Sequence, residues 1–342
     1  MVKLKTRQWR KHDTKPTLKK CMVAIFVCVA GVKIWKNKTQ STDVYTHVTN
    51  MGASSSISLR TKIDHNVMRA LRKHMKQQQA SMPQQWNGDA ALHMIHFLRT
   101  QAPTMFPLLG DVPITANAVK YEKDFHGQEL EDKEIYQRFL NEYTRTCHTF
   151  GIGGVFESGA YQGVEWSNTY FFEKHFAMPS VLVEASENNW KKLDDAVATH
   201  RPLAEVHHAA LCPVGDEVVC LDEESTKLHN AMNKVQENAA CKNPIPCYNF
   251  DDRRHYALVS LDIEGFEWEF LKLRNLQADL IVMEVAQWVR YSNKIMTVVE
   301  VVARMADLGY YLYAPTDHMI GGRNFLFVSK DLVQDCFSKN VP

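Results

Sequence analysis

The chain has 342 residues, 45% of them hydrophobic and 23% charged, with a formal charge of +1. This length allows one large domain with extra segments, or two small domains. Residues 1–20 hold Lys3, Lys5, Arg7, Arg10, Lys11, Lys15, Lys19 and Lys20 against Asp13 alone, so about +7 sits there and about −6 in the remainder, which argues against a nucleic-acid-binding body.

The basic segment runs into an apolar stretch, Cys21 to Trp35 (CMVAIFVCVAGVKIW), interrupted only by Lys33. About 15 residues is short of the ~20 that a helix needs to span a bilayer. Lys20 and Lys33 can snorkel, however, and Trp35 suits the interface, so the stretch reads as a short signal anchor. The charge bias then puts residues 1–20 in the cytosol and the body in the lumen, the single-pass type II arrangement of an ER or Golgi protein. Two other readings stay open. The stretch has the length of a signal-peptide h-region, with Cys28-Val29-Ala30 as a cleavage site, although a 20-residue basic n-region is long for one. A mitochondrial presequence is the third.

Residues 36–110 read as stem and helical linker. They begin with a polar run to about residue 60 that includes the sequon Asn37-Lys38-Thr39. From Arg60 to Gln79, Ile63, Val67, Leu71 and Met75 recur every four residues. This basic amphipathic helix fits a solvated stem, a membrane surface or a partner helix. Asp89 can cap a helix over 90–101, stopped by Pro103. The compact domain is expected over 111–342, opening with a helix from Asp132 to His148 that carries Ile135, Phe139, Leu140 and Tyr143 on one face.

The central stretch is Gly154–Glu184. The apolar pair Val155-Phe156 ends on Glu157, a turn follows (Ser158-Gly159-Ala160-Tyr161-Gln162-Gly163), then an aromatic helical segment, then Val181-Leu182-Val183 ending on Glu184. Strand, glycine turn, helix and acid-ended strand form the unit that binds nucleotide-like ligands at the carboxyl ends of parallel strands. Glycine there lets the backbone approach a ligand closely. A dinucleotide site wants G-x-G-x-x-G and a pyrophosphate at the helix start. An acid just before the turn would repel pyrophosphate and suit the cationic amino group of S-adenosylmethionine, while Glu184 could accept both ribose hydroxyls.

Ser186 can cap a helix to Thr199. Strands are expected at Glu205–Leu211, Glu217–Leu221, Tyr256–Asp262, Asp279–Val285, Tyr310–Ala314 and Asn324–Ser329, with a long amphipathic helix over 293–308 closed by Gly309. Residues 225–240 read as either a helix or an insertion. Strands alternating with helices argue for an α/β three-layer domain with a mostly parallel sheet. Of eight cysteines, Cys21 and Cys28 lie in the apolar run. The other six suit an oxidising lumen, with Cys241–Cys247 the first pairing expected, and without C-x-x-C or clustered histidines no metal site is expected.

The segments FESGAYQGVEWSNTYFFEKHF, SVLVEASENNWKKL, HHAAL, VSLDIEGFEWEFLK, DLIVMEV and LGYYLYAPTDHMIGGRNFLFVSK, in that order over about residues 130–335, closely resemble the FkbM family of methyltransferases. The resemblance implies a seven-stranded Rossmann-like methyltransferase fold, S-adenosyl-L-methionine as cofactor and methyl transfer to a hydroxyl oxygen, here of a glycan. It would have Glu157, Gly159, Ala160 and Gly163 hold the methionine part, Asn168 lie over the cofactor and Glu184 bind its ribose. Ala209 and Ala210 would lie near the adenine, and Asp262 and Glu264 beside the transferring methyl. Ser158 departs from the aliphatic residue usual there. A sugar hydroxyl must lose its proton as the methyl arrives, so Asp262 is expected as the base or as a metal ligand, with Glu264 orienting it. Some animal members, the Star-like proteins, share a single N-terminal anchor and work in trafficking of membrane cargo. That non-catalytic role is the alternative.

Overall fold

The inner strands of the large sheet alternate their side chains between two apolar layers, and this alternation builds the domain. The computed structural model describes residues 69–71, 73–74, 77, 100, 112, 114–148, 154–212, 217–222, 234–236, 244–250, 253–263, 267–271, 276–284, 295–313 and 324–337. The chain divides between Arg60 and Thr61, and all of these residues fall in the second part. The expected anchor at 21–35, the polar stem, the sequon and all of the 90–101 helix except Thr100 lie outside the described residues. Among those that are described, no helix is long and apolar enough to cross a membrane.

In order, the elements are α1 (Glu131–Arg138), α2 (Glu142–Cys147), β1 (Val155–Ser158), α3 (Tyr170–Phe176), β2 (Ser180–Glu184), α4 (Glu187–His200), β3 (Ala204–His208), β4 (Ala210–Leu211), β5 (Val218–Asp222), β6 (Lys234–Gln236), β7 (Pro244–Tyr248), β8 (Tyr256–Leu261), α5 (Glu267–Phe270), β9 (Ala278–Glu284), α6 (Ile295–Asp307), β10 (Tyr310–Tyr313), β11 (Asn324–Ser329) and α7 (Lys330–Cys336). Seven strands form one sheet in the order β10-β11-β9-β8-β1-β2-β3. The run from β9 to β3 is parallel throughout, while β11 lies antiparallel to both β9 and β10. This is an α/β domain with a mostly parallel seven-stranded sheet, compatible with a Rossmann-like fold.

Phe156, Val181, Val183, Val259, Ile281 and Phe325 face one apolar layer, which takes in Val301, Val302 and Met305 of α6. Their neighbours Val155, Leu258, Leu280, Val282 and Leu326 face the other, against Ile135, Phe139, Phe171, Phe172 and Leu332 of the helical side. Two covered faces explain why these strands read as unbroken apolar runs. Residues 69–71 are helical, and Leu71, assigned from sequence to a stem helix, is fully buried in the α6-side layer.

Three expectations change. The helix read over 132–148 is two helices, because Asn141 adopts an extended conformation and caps α2, accepting from the main-chain N–H groups of Tyr143 and Thr144. Tyr143, expected on the core face, is largely exposed. The strand read over 205–211 breaks at Ala209: β3 stays in the large sheet, and β4 joins a second one in the order β4-β7-β5-β6. Within the polar stretch 225–240, residues 234–236 form strand β6.

The cysteine pairing is corrected as well. Cys247 bonds Cys212, not Cys241, because parallel pairing of β4 with β7 sets Ala210 against Cys247 and brings Cys212 alongside. Cys147, at the end of α2, bonds Cys336, at the end of α7, and Cys220 is also disulfide-bonded.

Candidate functional site

Strand β1 leads to β2 on one side, while β8 enters the sheet on its other side. This reversal of strand order marks the edge where open α/β sheets bind ligands, at the carboxyl ends of the strands. Glu157, Glu184 and Glu284 lie at the ends of β1, β2 and β9, and Asp262 directly follows β8. The register pairs Leu261 with Met283, so Asp262 stands beside Glu284.

The four acids have different surroundings. Glu157 is buried and turned toward the loop after the glycine turn. Its Oε2 accepts from Ser167 Oγ (2.6 Å) and Thr169 Oγ1 (2.6 Å), and its Oε1 from Asn168 N (2.8 Å). Arg201 Nη1 lies 3.5 Å from the same carboxylate. Arg201 is itself fully buried and donates to Glu173, to the Gly163 carbonyl, to Ser167 and to Thr169. Glu184 accepts from Tyr161 N and Ser186 N, both at 2.8 Å, and from Asn189. Burial raises its pKa to about 7 despite those bonds.

Asp262 differs from both, being exposed to solvent. Desolvation nonetheless raises its pKa; the hydrogen bond with Glu284 acts the other way, and the Glu157 charge adds to the rise. A hydrogen bond between two carboxyl groups requires a shared proton, so Asp262 and Glu284 titrate as a pair. A second group of acids comes from α1. Glu131 and Asp132 are fully buried, and desolvation raises both pKa values, that of Asp132 to about 7. Asn324, opposite Glu284 in the sheet, donates to Glu131.

Packing alone already requires glycine at both turn positions. Gly159 has φ +79°, and a Cβ there would collide with the Asp262 carbonyl. At Gly163, with φ +76°, a Cβ would strike Leu193 of α4. Ala160 is buried beside Leu182 and Leu193, and Ala209 is buried in the α6-side core, with its N–H on the Glu184 carbonyl. Ala210 begins β4 and is also buried. Asn168 ties the loop to β8 through Ser260 Oγ (3.1 Å), while its Oδ1 is buried and takes no hydrogen bond. Glu264 lies outside the described residues.

Glu157, Glu184, Asn168 and Asp262 are thus gathered at one edge. The Glu157 and Glu184 carboxylates are closed in by the protein's own donors, and the acid facing solvent is Asp262, partnered by Glu284. Sequence reading missed the role of Arg201, although a lone arginine before a strand, flanked by Pro202, was the available sign. Among the described residues, no three His, Cys, Asp or Glu side chains form a group able to hold a metal ion. No protein-family model matches the chain, and no curated protein sequence matches it.

Proposed function

We propose that this chain is an S-adenosyl-L-methionine-dependent O-methyltransferase of the FkbM type, acting on a hydroxyl acceptor in the secretory pathway. The observation that carries the reading is the exposed Asp262, hydrogen-bonded to Glu284, at the switch point of a mostly parallel seven-stranded sheet. Its environment fits the group the reading requires. The edge is acidic, which favours a sulfonium nucleoside over a phosphate, and Asn168 keeps one buried acceptor atom unpartnered. Glu184 accepts three hydrogen bonds, fewer than the roughly four its carboxylate can take, which leaves room for a ribose hydroxyl.

When bound, the cofactor supplies an electrophilic methyl group and leaves as a neutral thioether. The protein's part is the proton. As the acceptor oxygen gains its methyl, its hydrogen passes to the Asp262–Glu284 pair, whose affinity for a proton is raised by desolvation and by the Glu157 charge. Glu284 thereby takes the orienting role that sequence reading gave to Glu264. Glu157 and Arg201 act one step further out by fixing the 163–169 loop.

Disulfides at Cys147–Cys336 and Cys212–Cys247 support folding in an oxidising compartment, as the type II luminal placement at the ER or Golgi requires. Titration of the purified full chain with S-adenosylmethionine tests the reading. Saturable heat that weakens at least tenfold in Asp262→Ala is expected. A second reading is favoured by the closure of Glu157 and Glu184 by the protein's own groups. On that reading the domain has kept the fold and serves membrane-protein cargo without turnover, as the Star-like proteins do. No heat at millimolar ligand would favour it over the enzyme.

A further inference from the structure

Glu131 and Asp132 are fully buried, yet the transfer chemistry uses neither. Both carboxyls hold down the segment that precedes α1. Asp132 accepts from the main-chain N–H groups of His126 and Gly127, and Glu131 from that of Glu129. The segment is also tied at two places in the domain. Gly127 bridges to Trp166 in the loop after β1, and Glu131 accepts from Asn324 at the start of β11. In the sheet, β8 and β9 lie between β1 and β11, so the segment runs past their ends, where Asp262 and Glu284 stand. It forms a strap along the carboxyl edge.

The strap meets the β1–α3 loop through acceptors alone. A Cβ added to Gly127 would lie 2.7 Å from Asn168 Oδ1, 2.8 Å from Glu131 Oε2 and 2.9 Å from Asp132 Oδ1, so three oxygens converge on the bare Cα. Amide and ionised carboxylate oxygens only accept, and packed together away from water they repel one another. Asn168 Oδ1 is buried without a donor. The cations of the neighbouring elements are engaged elsewhere: Lys133 with Glu122, Arg138 with Glu134, Lys174 with Asp124, and Arg201 with Glu157 and Glu173. The His126 ring packs on Tyr170, and Glu129 adds negative charge at Glu131. We propose that one proton shared by Glu131 and Asp132, and offered to Asn168 Oδ1, latches residues 126–132, and that its loss loosens the strap. With both acids ionised, two charges and the Asn168 dipole repel at close range. Burial raises the Asp132 pKa to about 7, so the latch holds in mildly acid solution and opens through neutrality. The oxygen that the transferase reading offers to the cofactor is engaged while the latch holds and is released with it. The device itself requires no turnover.

The test is hydrogen exchange on the full chain in detergent, with a chelator present, from about pH 5.5 to about pH 8.5, each rate divided by its intrinsic value at that pH. Protection of the His126, Gly127 and Glu129 N–H groups is expected to fall about tenfold across this range, and that of the central strands β8 and β9 much less. In Glu131→Gln/Asp132→Asn, which cannot ionise there, strap protection should stay level. Asn168→Ala, which removes the acceptor and leaves both acids, should lower protection at the acid end and flatten the profile. A flat profile in the native chain, an equal fall in β8 and β9, or the native fall persisting in either folded variant would overturn the latch. Protection restored at the alkaline end by millimolar magnesium or calcium would assign the gap to a metal cation and overturn it too.

Discussion

The two edges of the large sheet both bury carboxylates, and they satisfy them in opposite ways. At the carboxyl edge, Glu184 is held by neutral N–H donors, and its pKa rises to about 7. At the amino edge, Asp279 Oδ1 pairs with His148 Nε2 and His255 Nε2, both at 2.9 Å. His148 also reaches Asp335 (2.7 Å), and the Asp279 and Asp335 partners together raise its pKa to about 9. Beside it, the Cys147–Cys336 bridge ties α2 to α7. Imidazolium and covalent bond make the amino edge a clamp. At the carboxyl edge Arg201 compensates Glu157, while Glu184 is left to dipoles alone, the condition under which a cationic ligand or a proton is welcome.

Arg201→Met is the change that should break this contrast most completely. It leaves Glu173 and Glu157 buried without their cation and frees the 163–169 loop. A loss of about 3–5 kcal/mol in urea unfolding is expected, with binding at the carboxyl edge lost as well. Cys336→Ala opens the amino-edge clamp and should cost about 2–5 kcal/mol while leaving S-adenosylmethionine affinity intact.

The pH profile separates the edges. Between about 4.5 and 7 the folded protein keeps a proton on Glu184 that the unfolded chain has lost, so stability falls as pH rises, by at most ~1.4 kcal/mol per pH unit. Asp132 acts in the same direction, so Glu184→Gln should flatten the slope without abolishing it. The contribution of His148 is complete below 6.5 and disappears as pH rises through about 9, a second fall that Asp279→Asn should shrink, Asp335 keeping the remainder. The smallest effect belongs to His255→Ala, whose side chain is 39% exposed, at about 1 kcal/mol or less.

The strands of the large sheet were legible because each is an apolar run ended by an acid or a turn, and β1, β2, β8 and β9 appear within a residue or two of where the pattern put them. The direction of the acids was not legible. That Glu157 turns toward Ser167, Asn168 and Thr169 depends on Arg201, 44 positions away in sequence and adjacent only after folding. The Asp262–Glu284 pair was half visible: both acids end predicted strands, but only the register sets them side by side. Leu71 shows the converse limit. The helix expected around it is seen at residues 69–71, 73–74 and 77, but periodicity could not say that Leu71 would be covered by the α6-side layer.

The bridge between Cys147 and Cys336 also constrains how the molecule is made. Cys336 is synthesised 189 positions after Cys147, and Cys212, Cys220, Cys241 and Cys247 all emerge in between. During synthesis Cys147 therefore meets four other thiols before its partner exists. Oxidative refolding of the reduced chain should accordingly be slow without an isomerase able to undo early mispairings, and its yield should rise when one is added.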